Sequence, residues 1–168
     1  MNVEKLVQCV RKGNVGKVKA LVSLYPPEDL GQALRAAIVH NQSECVEVLA
    51  PLVATSTQED AKGLTAIDYA FFTAITNGNV LAFTRIFPCV DFNKNNNFLF
   101  FACQFRRRNM AQHLIPHSNL EEVWNKLISQ QASEEQLDII RAPYEALQQN
   151  KRLQNVVGHP ARSAPRKL

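Results

Sequence analysis

The chain has 168 residues, a net charge of +4, and 46% hydrophobic against 20% charged residues, ordinary values for a soluble protein that folds as one domain. Its longest uncharged run, Tyr69 to Thr84, contains Asn77-Gly78-Asn79 and is too short to span a bilayer. No basic start followed by an apolar stretch marks a secretion signal, so the cytoplasm is the expected setting.

In chain order, one pattern recurs. Leu6-x-x-Cys9-Val10-x-x-Gly13-Asn14-x-x-x-Val18-x-x-Leu21-Val22 is followed by Leu34-x-x-Ala37-Ile38-x-x-Asn41-Gln42-x-x-x-Val46-x-x-Leu49-Ala50, and later by Leu99-x-x-Ala102-Cys103-x-x-Arg106-Arg107-x-x-x-Ala111-x-x-Leu114-Ile115. Apolar and small residues fall at the same offsets each time. Each half of a copy places them at i, i+3 and i+4, one face of a helix, and Gly13-Asn14 suits the tight turn between the halves. A repeat of this length predicts stacked helix pairs rather than one undivided core.

A further copy lies between the second and third. It opens at Gly63-Leu64-Thr65-Ala66-Ile67-Asp68-Tyr69-Ala70 and closes at Gly78-Asn79-x-x-x-Phe83-x-x-Ile86-Phe87, four residues late when counted from Ile67. Four residues are about one helical turn, so its first helix is expected to be one turn longer, with a local bulge around Thr73 to Thr76. Pro51, Pro88 and Pro116 each directly follow the pair that closes a copy, and proline is expected to stop the helix there. After the first copy, Pro26 and Pro27 stand a few residues on.

The ends need polar caps over the exposed core. Asn2 can cap the first helix, with Glu4 favourable in its first turn. Leu120 to Gln131 reads as a helix with Val123, Trp124, Leu127 and Ile128 inward. Ser133 and Gln136 stand at capping-box spacing before Leu137, Ile139, Ile140, Tyr144 and Leu147, and Pro143 should bend or break this last helix. Residues 119–149 carry two basic and six acidic side chains, whereas residues 150–168 carry five basic and no acidic ones. Gly158 to Leu168 reads as a basic flexible tail.

Gly63-Leu64-Thr65-Ala66-Ile67-Asp68-Tyr69-Ala70 resembles the ankyrin repeat, whose pattern reads Gly-x-Thr-Pro-Leu-His-x-Ala, with Ala66 and Asp68 standing where the family has Pro and His. Phe92-Asn93 after Asp91 resembles the usual end of a repeat. The resemblance covers Leu6 to Pro116, and the stretch after it looks like a degenerate fifth repeat or cap. The full Gly-x-Thr opening occurs once, and the copies are spaced 28, 33 and 32 residues apart at Leu6, Leu34, Ile67 and Leu99. The fold implied is all-α: an ankyrin-like helical-repeat solenoid with reduced β-hairpin loops and a helical C-terminal cap. Its repeats fall at about 3–28, 29–60, 61–93 and 94–118, its cap at 119–157 and its tail at 158–168. Such divergent repeats are similar to those of bacterial effectors and large DNA viruses, which would place a microbial effector in host cytoplasm.

The resemblance also implies a site. Ankyrin stacks bind partner proteins on a concave face, lined by the segment before each first helix and by that helix's exposed side. On this chain the face comprises Arg11, Val39, His40, Lys62, Leu64, Phe72, Lys94, Asn96, Gln104 and Phe105. This mixture of basic, amide and aromatic groups suits a protein with acidic character. The implied role is a monomeric, non-enzymatic adaptor or inhibitor that needs no cofactor.

Other readings are weaker. Arg106-Arg107-Arg108, at an inter-helix turn, could hold nucleic acid or an acidic ligand together with the basic tail. The modest charge and the absence of a nucleic-acid motif argue against this. His113 and His117 have the i, i+4 spacing of metal ligands, but Pro116 intervenes and no Cys-x-x-Cys is present. Cys9, Cys45 and His40 could form a thiol–imidazole pair, yet their repeat positions explain them without chemistry. All four cysteines are expected to be reduced, with Cys9 and Cys103 packing as alanine does. All nine phenylalanines lie between Phe71 and Phe105. Phe83, Phe87 and Phe101 are expected at or near the core. Adjacent pairs cannot both point inward, so one member each of Phe71-Phe72 and Phe100-Phe101 should lie near the surface or against the next repeat.

Overall fold

The computed structural model describes residues 3–93 and 97–157, with side chains to residue 154. The expected cap Asn2, the site candidates Lys94 and Asn96, and the tail 158–168 lie outside the described residues. Within them the fold is all-α. Eleven helices run in order: α1 (Glu4–Arg11), α2 (Val15–Val22), α3 (Pro27–Val39), α4 (Ser43–Val53), α5 (Ala66–Asn77), α6 (Val80–Ile86), α7 (Asn97–Gln104), α8 (Arg108–Leu114), α9 (Leu120–Ser129), α10 (Glu134–Leu137) and α11 (Arg141–Val157). Among the described residues the β structure is one isolated antiparallel bridge, Glu59 to Thr65, in the loop before α5.

The helices come in pairs. Helix α1 packs on α2, α3 on α4, α5 on α6 and α7 on α8, while first helices meet first helices along the series α1, α3, α5, α7, α9. Second helices do the same from α2 to α4 to α6. Each pair therefore buries its apolar face partly within itself and partly against its neighbours.

One turn geometry joins every pair. Gly13, Asn41, Gly78, Arg106 and Gln131 all have positive φ, between 55° and 67°. The next residue in each case donates its N–H to a carbonyl five residues back: Asn14 to Cys9 at 3.0 Å, Gln42 to Ala37 at 2.8 Å, Asn79 to Ala74 at 2.9 Å, Arg107 to Ala102 at 2.7 Å and Ala132 to Leu127 at 3.0 Å. This left-handed cap satisfies carbonyls at the end of one helix and turns the chain into the next. Glycine takes the conformation without steric cost, and the asparagine, arginine and glutamine hold it against about 1 kcal/mol of strain each. The fifth turn makes α9 and α10 a fifth pair built like the others. Asn14 and Asn79 then cap the second helices, accepting from the N–H groups of Lys17 and Ala82.

Counting back from the turn corrects the expected position of the extra helical turn. Leu6, Leu34, Phe71 and Leu99 each stand seven residues before the left-handed residue, and each is fully buried. Phe71, rather than Ile67, therefore occupies the repeated core position. Ile67 and Ala70 belong to an added N-terminal turn, which α3 also has as Leu30 and Ala33. Helices α3 and α5 have 13 and 12 residues against eight in α1 and α7. The bulge expected at Thr73 to Thr76 does not form. The helix continues, and the Thr73 hydroxyl donates to the Tyr69 carbonyl at 2.7 Å.

Proline acts differently at its several positions. Pro88 and Pro116 lie in short 3₁₀ turns that end the α6 and α8 segments, close to the expected stop. Pro51 lies inside α4, which runs on to Val53, so the expected stop fails there. Pro26 and Pro27 open α3, with Pro27 at its first position, where a missing N–H costs nothing. Pro143 sits in the first turn of α11, and the chain breaks just before it, at Asp138 to Ile140.

At the C-terminal end Val123, Leu127, Leu137, Ile139 and Ile140 are buried as expected. Ile128 is not: it is 52% exposed. Its counterparts Val10, Ile38, Ile75 and Cys103 are covered by the following pair, and no further pair follows α9 and α10. The long helix α11 instead leans on α9. The rings of Trp124 and Tyr144 stack at 4.5 Å, and Lys151 pairs with Glu121 at 2.7 Å.

Phe71 lies at the centre of an aromatic cluster, 4.9 Å from both Phe83 and Phe98 between ring centroids. Phe72 is half-buried and meets Phe101 of the next pair edge-on at 4.7 Å, the arrangement expected of the outward member. All four cysteines are free thiols. Cys45 and Cys103 are buried, and Cys9 is only half-buried.

Candidate functional site

The exposed side of each first helix follows from the same register. In α3 the core takes Leu34, Ala37 and Ile38, which leaves Gln32, Arg35, Ala36 and Val39 on the opposite stripe at i, i+3, i+4 and i+7. In α5 the same stripe is Tyr69, Phe72, Thr73 and Thr76, and in α7 it includes Asn97, Phe101 and Gln104.

Three depressions run along these stripes. One, of about 360 Å³, joins Arg11 with Arg35, Val39 and His40. A second, of about 410 Å³, lies beside it and shares Gln32 and Arg35. Four carboxylates line it, from Glu28, Asp29, Glu59 and Asp60. The third, of about 200 Å³, shares Leu64 and Tyr69 with the second and is walled by Phe72, Phe98 and Phe101, with Lys62 and Asn97 also lining it. Shared lining residues set the three depressions side by side as one row along the first helices, and its chemistry runs from basic through acidic to apolar.

The loop between α4 and α5 is held by Asp60. Its carboxylate accepts from the Tyr69 hydroxyl at 2.5 Å and from the N–H groups of Lys62 and Leu64 at 2.8 and 2.9 Å. These bonds, that from Tyr69 first, hold the Asp60 carboxyl below its ordinary range, and the same contact raises the Tyr69 hydroxyl. At the start of α5, Thr65 and Asp68 form a capping box, in which the Thr65 N–H and hydroxyl donate to Asp68 at 2.9 and 2.7 Å. Asp68 is the buried charged residue among those described, at 7% exposure, and this box supplies its partners.

The structure thus gathers Arg11, Val39 and His40 in one depression and Lys62, Leu64 and Phe72 in another. Gln104 lies apart, in a small hollow facing Gln130 and Gln136 near the C-terminal end. Phe105 is exposed at the end of α7 and is not among the residues lining these depressions. Sequence reasoning missed Arg35, Tyr69, Phe101 and the carboxylates. The stripe spacing on α3 and α5 could have found the first two. The carboxylates come from α3 and the α4–α5 loop, which only the fold brings together.

The arginine triplet has a structural task. Arg107 donates from Nε to the Ile75 carbonyl at 3.2 Å and from Nη2 to the Thr76 carbonyl at 2.7 Å. Arg106 pairs with Glu135 at 3.1 Å. Arg107 and Arg106 are thus engaged within the chain, while Arg108 is exposed and lines, with them, a depression of about 290 Å³ at the turn. Arg107 belongs to a series. Gln42 donates to the Arg11 carbonyl at 3.3 Å, Asn79 to the Ile38 carbonyl at 3.0 Å, and Gln136 to the Gln104 carbonyl at 2.8 Å. Each pair reaches back to the carbonyls that end the preceding first helix. His113 and His117 pack on Phe83, Phe87 and Phe92, with the His117 ring stacked on Phe92 at 4.8 Å.

No helix among the described residues is long and apolar enough to cross a membrane. No protein-family model, curated protein or solved structure matches the chain.

Proposed function

We propose that this chain is an ankyrin-like solenoid that binds a partner protein along its groove and acts as a non-enzymatic adaptor or inhibitor in the cytoplasm. The observation that carries this is the row of three adjoining depressions along the exposed stripes of α3, α5 and α7, which brings together six residues expected at a binding face. The turn-to-turn hydrogen bonds support it further. They hold successive pairs in fixed register, so a partner meets a preorganised surface and little entropy is lost on binding. The mixture of an apolar slot with flanking charges is what a specific protein contact needs. Arg107 is committed to the carbonyls of the preceding pair and Arg106 to Glu135, which leaves the exposed Arg108 as the arginine of the triplet on which the nucleic-acid alternative would rest.

The test is affinity capture from cell lysate by the purified protein and by a variant carrying Arg35→Ala, Val39→Ser and Leu64→Ser, three exposed or half-buried groove positions changed without added charge. Both proteins are first compared by circular dichroism and thermal melting. A protein retained by the parent and lost by the folded variant supports the reading. Equal retention by both, or retention of nucleic acid with a steep salt dependence, sinks it.

A further inference from the structure

The apolar end of the groove adjoins its acidic part, and together they specify a partner chemistry. The slot between α5 and α7 is lined by Leu64, Tyr69, Phe72 and Phe101, the last two packed edge-on against each other as one wall. Its volume of about 200 Å³ suits one large apolar side chain. Leu64 and Tyr69 are also the wall it shares with the depression that carries Glu28, Asp29, Glu59 and Asp60. Among the described residues lining that depression, Arg35 is the cation beside Glu28, Asp29 and Asp60. Glu28 and Asp29 are exposed and make no ion pair among the described residues.

We infer that the groove seats a partner segment carrying one large apolar residue flanked by lysine or arginine, the apolar side chain in the Leu64–Phe72–Phe101 slot and the cations against Glu28, Asp29 and Asp60. This rests on the groove-binding reading and sharpens it. It also reverses the partner charge expected from the basic residues of the sequence. The chain as a whole is positive, +4 at pH 7, so bulk electrostatics favour an acidic ligand. A preference for a basic one can come only from the local carboxylates.

The experiment is fluorescence polarisation with the full chain and three labelled synthetic peptides of about ten residues, long enough to span about 33 Å. One has a central phenylalanine flanked on both sides by lysine and arginine. Its twin has glutamate in the flanks, and a third has serine in place of phenylalanine. The basic phenylalanine peptide should bind at least about tenfold tighter than either of the others. Leu64→Ser should cost binding of that peptide while leaving the serine peptide unchanged. The doubly neutralised Glu28→Gln, Asp29→Asn variant should cost its affinity and flatten its salt dependence. Both variants change exposed or half-buried groups, and circular dichroism checks that they fold.

Tighter binding of the glutamate peptide overturns the inference. If that binding is lost on Arg35→Glu, groove binding itself stands with the opposite partner charge. Equal binding of all three peptides, or of none, also overturns it, while the capture experiment judges the groove reading separately.

Discussion

The guanidinium of Arg107 lies against the carbonyl of Thr76, 2.7 Å away and one helix pair earlier in the chain. The same side chain closes over Gly78, where a Cβ would lie 2.8 Å from its Cζ. Arg107 is thus a tie between two turns rather than a surface charge.

Arg107→Ala removes two charge-assisted hydrogen bonds and leaves the Ile75 and Thr76 carbonyls to water. The expected loss is about 2 kcal/mol, read from urea denaturation. Arg107→Lys should recover only part of it, because an ammonium cannot reproduce the two-pronged donation. Arg106→Ala, which breaks the exposed pair with Glu135, should stay within about 1 kcal/mol of the parent.

Two glycines should respond to alanine with opposite signs. A Cβ at Gly31 would lie 2.7 Å from the Ala66 Cβ, where α3 meets the start of α5, and neither atom can swing away. Gly31→Ala should cost about 1–3 kcal/mol by overpacking. Gly16 lies in α2, and its nearest neighbour is the Asn14 side chain at 3.8 Å, an ordinary contact. Gly16→Ala should raise stability by about 0.5–1 kcal/mol by restricting the unfolded chain. Paired thermal melts separate the two.

Burial pushes the Cys103 thiol up to about 12, and it raises Cys45 and Cys89 as well. Native protein at pH 8 should therefore leave Cys103 unalkylated by iodoacetamide until it unfolds, whereas half-buried Cys9 should react early. A folded-state pKa above the unfolded value of 9.0 gives stability that is full below pH 9. That stability falls as pH rises from about 9 towards about 12, at about 1.4 kcal/mol per unit from this thiol. Cys103→Ala should flatten that alkaline decline in denaturation midpoints.

The Asp60–Tyr69 contact should open at both ends of the pH scale. The Asp60 carboxyl is lowered, so its contribution is present above the ordinary value of 3.8 and is lost as pH falls through the lowered folded value. The Tyr69 hydroxyl is raised, so its contribution is present below 10.0 and is lost as pH climbs through the raised value. Amide exchange at Lys62 and Leu64, both bonded to Asp60, reports this opening. Asp60→Asn and Tyr69→Phe should speed exchange there at neutral pH without changing exchange in α7 or α8.

The single tryptophan, Trp124, reports whether α11 is docked. Tyr144→Ala removes its stacking partner and should shift Trp124 emission to longer wavelength. The unfolding midpoint of the rest of the chain should barely move, since α11 packs mainly on α9.

Much of the helix pairing was legible because the core residues repeat at fixed distances before a turn. Leu6, Leu34 and Leu99 announced themselves this way. Phe71 did not, because alignment from Gly63 placed Ile67 in its slot, and only the shared turn geometry shows where the extra residues went. A left-handed residue is readable as glycine at positions 13 and 78, but nothing in Arg106 or Gln131 signals positive φ. Of the site, Arg11, Val39, His40, Lys62, Leu64 and Phe72 were reached from the repeat register. The carboxylates of Glu28, Asp29 and Asp60 were not. Their alignment is tertiary, and Glu28 and Asp29 read in sequence as ordinary first-turn acids of a helix.

The back-reaching side chains Gln42, Asn79, Arg107 and Gln136 give the chain a direction. Each donor belongs to the later pair and each acceptor to the earlier one. Along this series of ties, removing units from the C-terminal end leaves carbonyls behind, which water satisfies readily at a surface. Removing them from the N-terminal end strands donors, and at Arg107 a cation, that were shaped to grip something. Shortening or lengthening this protein by whole units should therefore be far better tolerated at its tail than at its head, just as a row of hooks can lose its last hook more easily than its first eye.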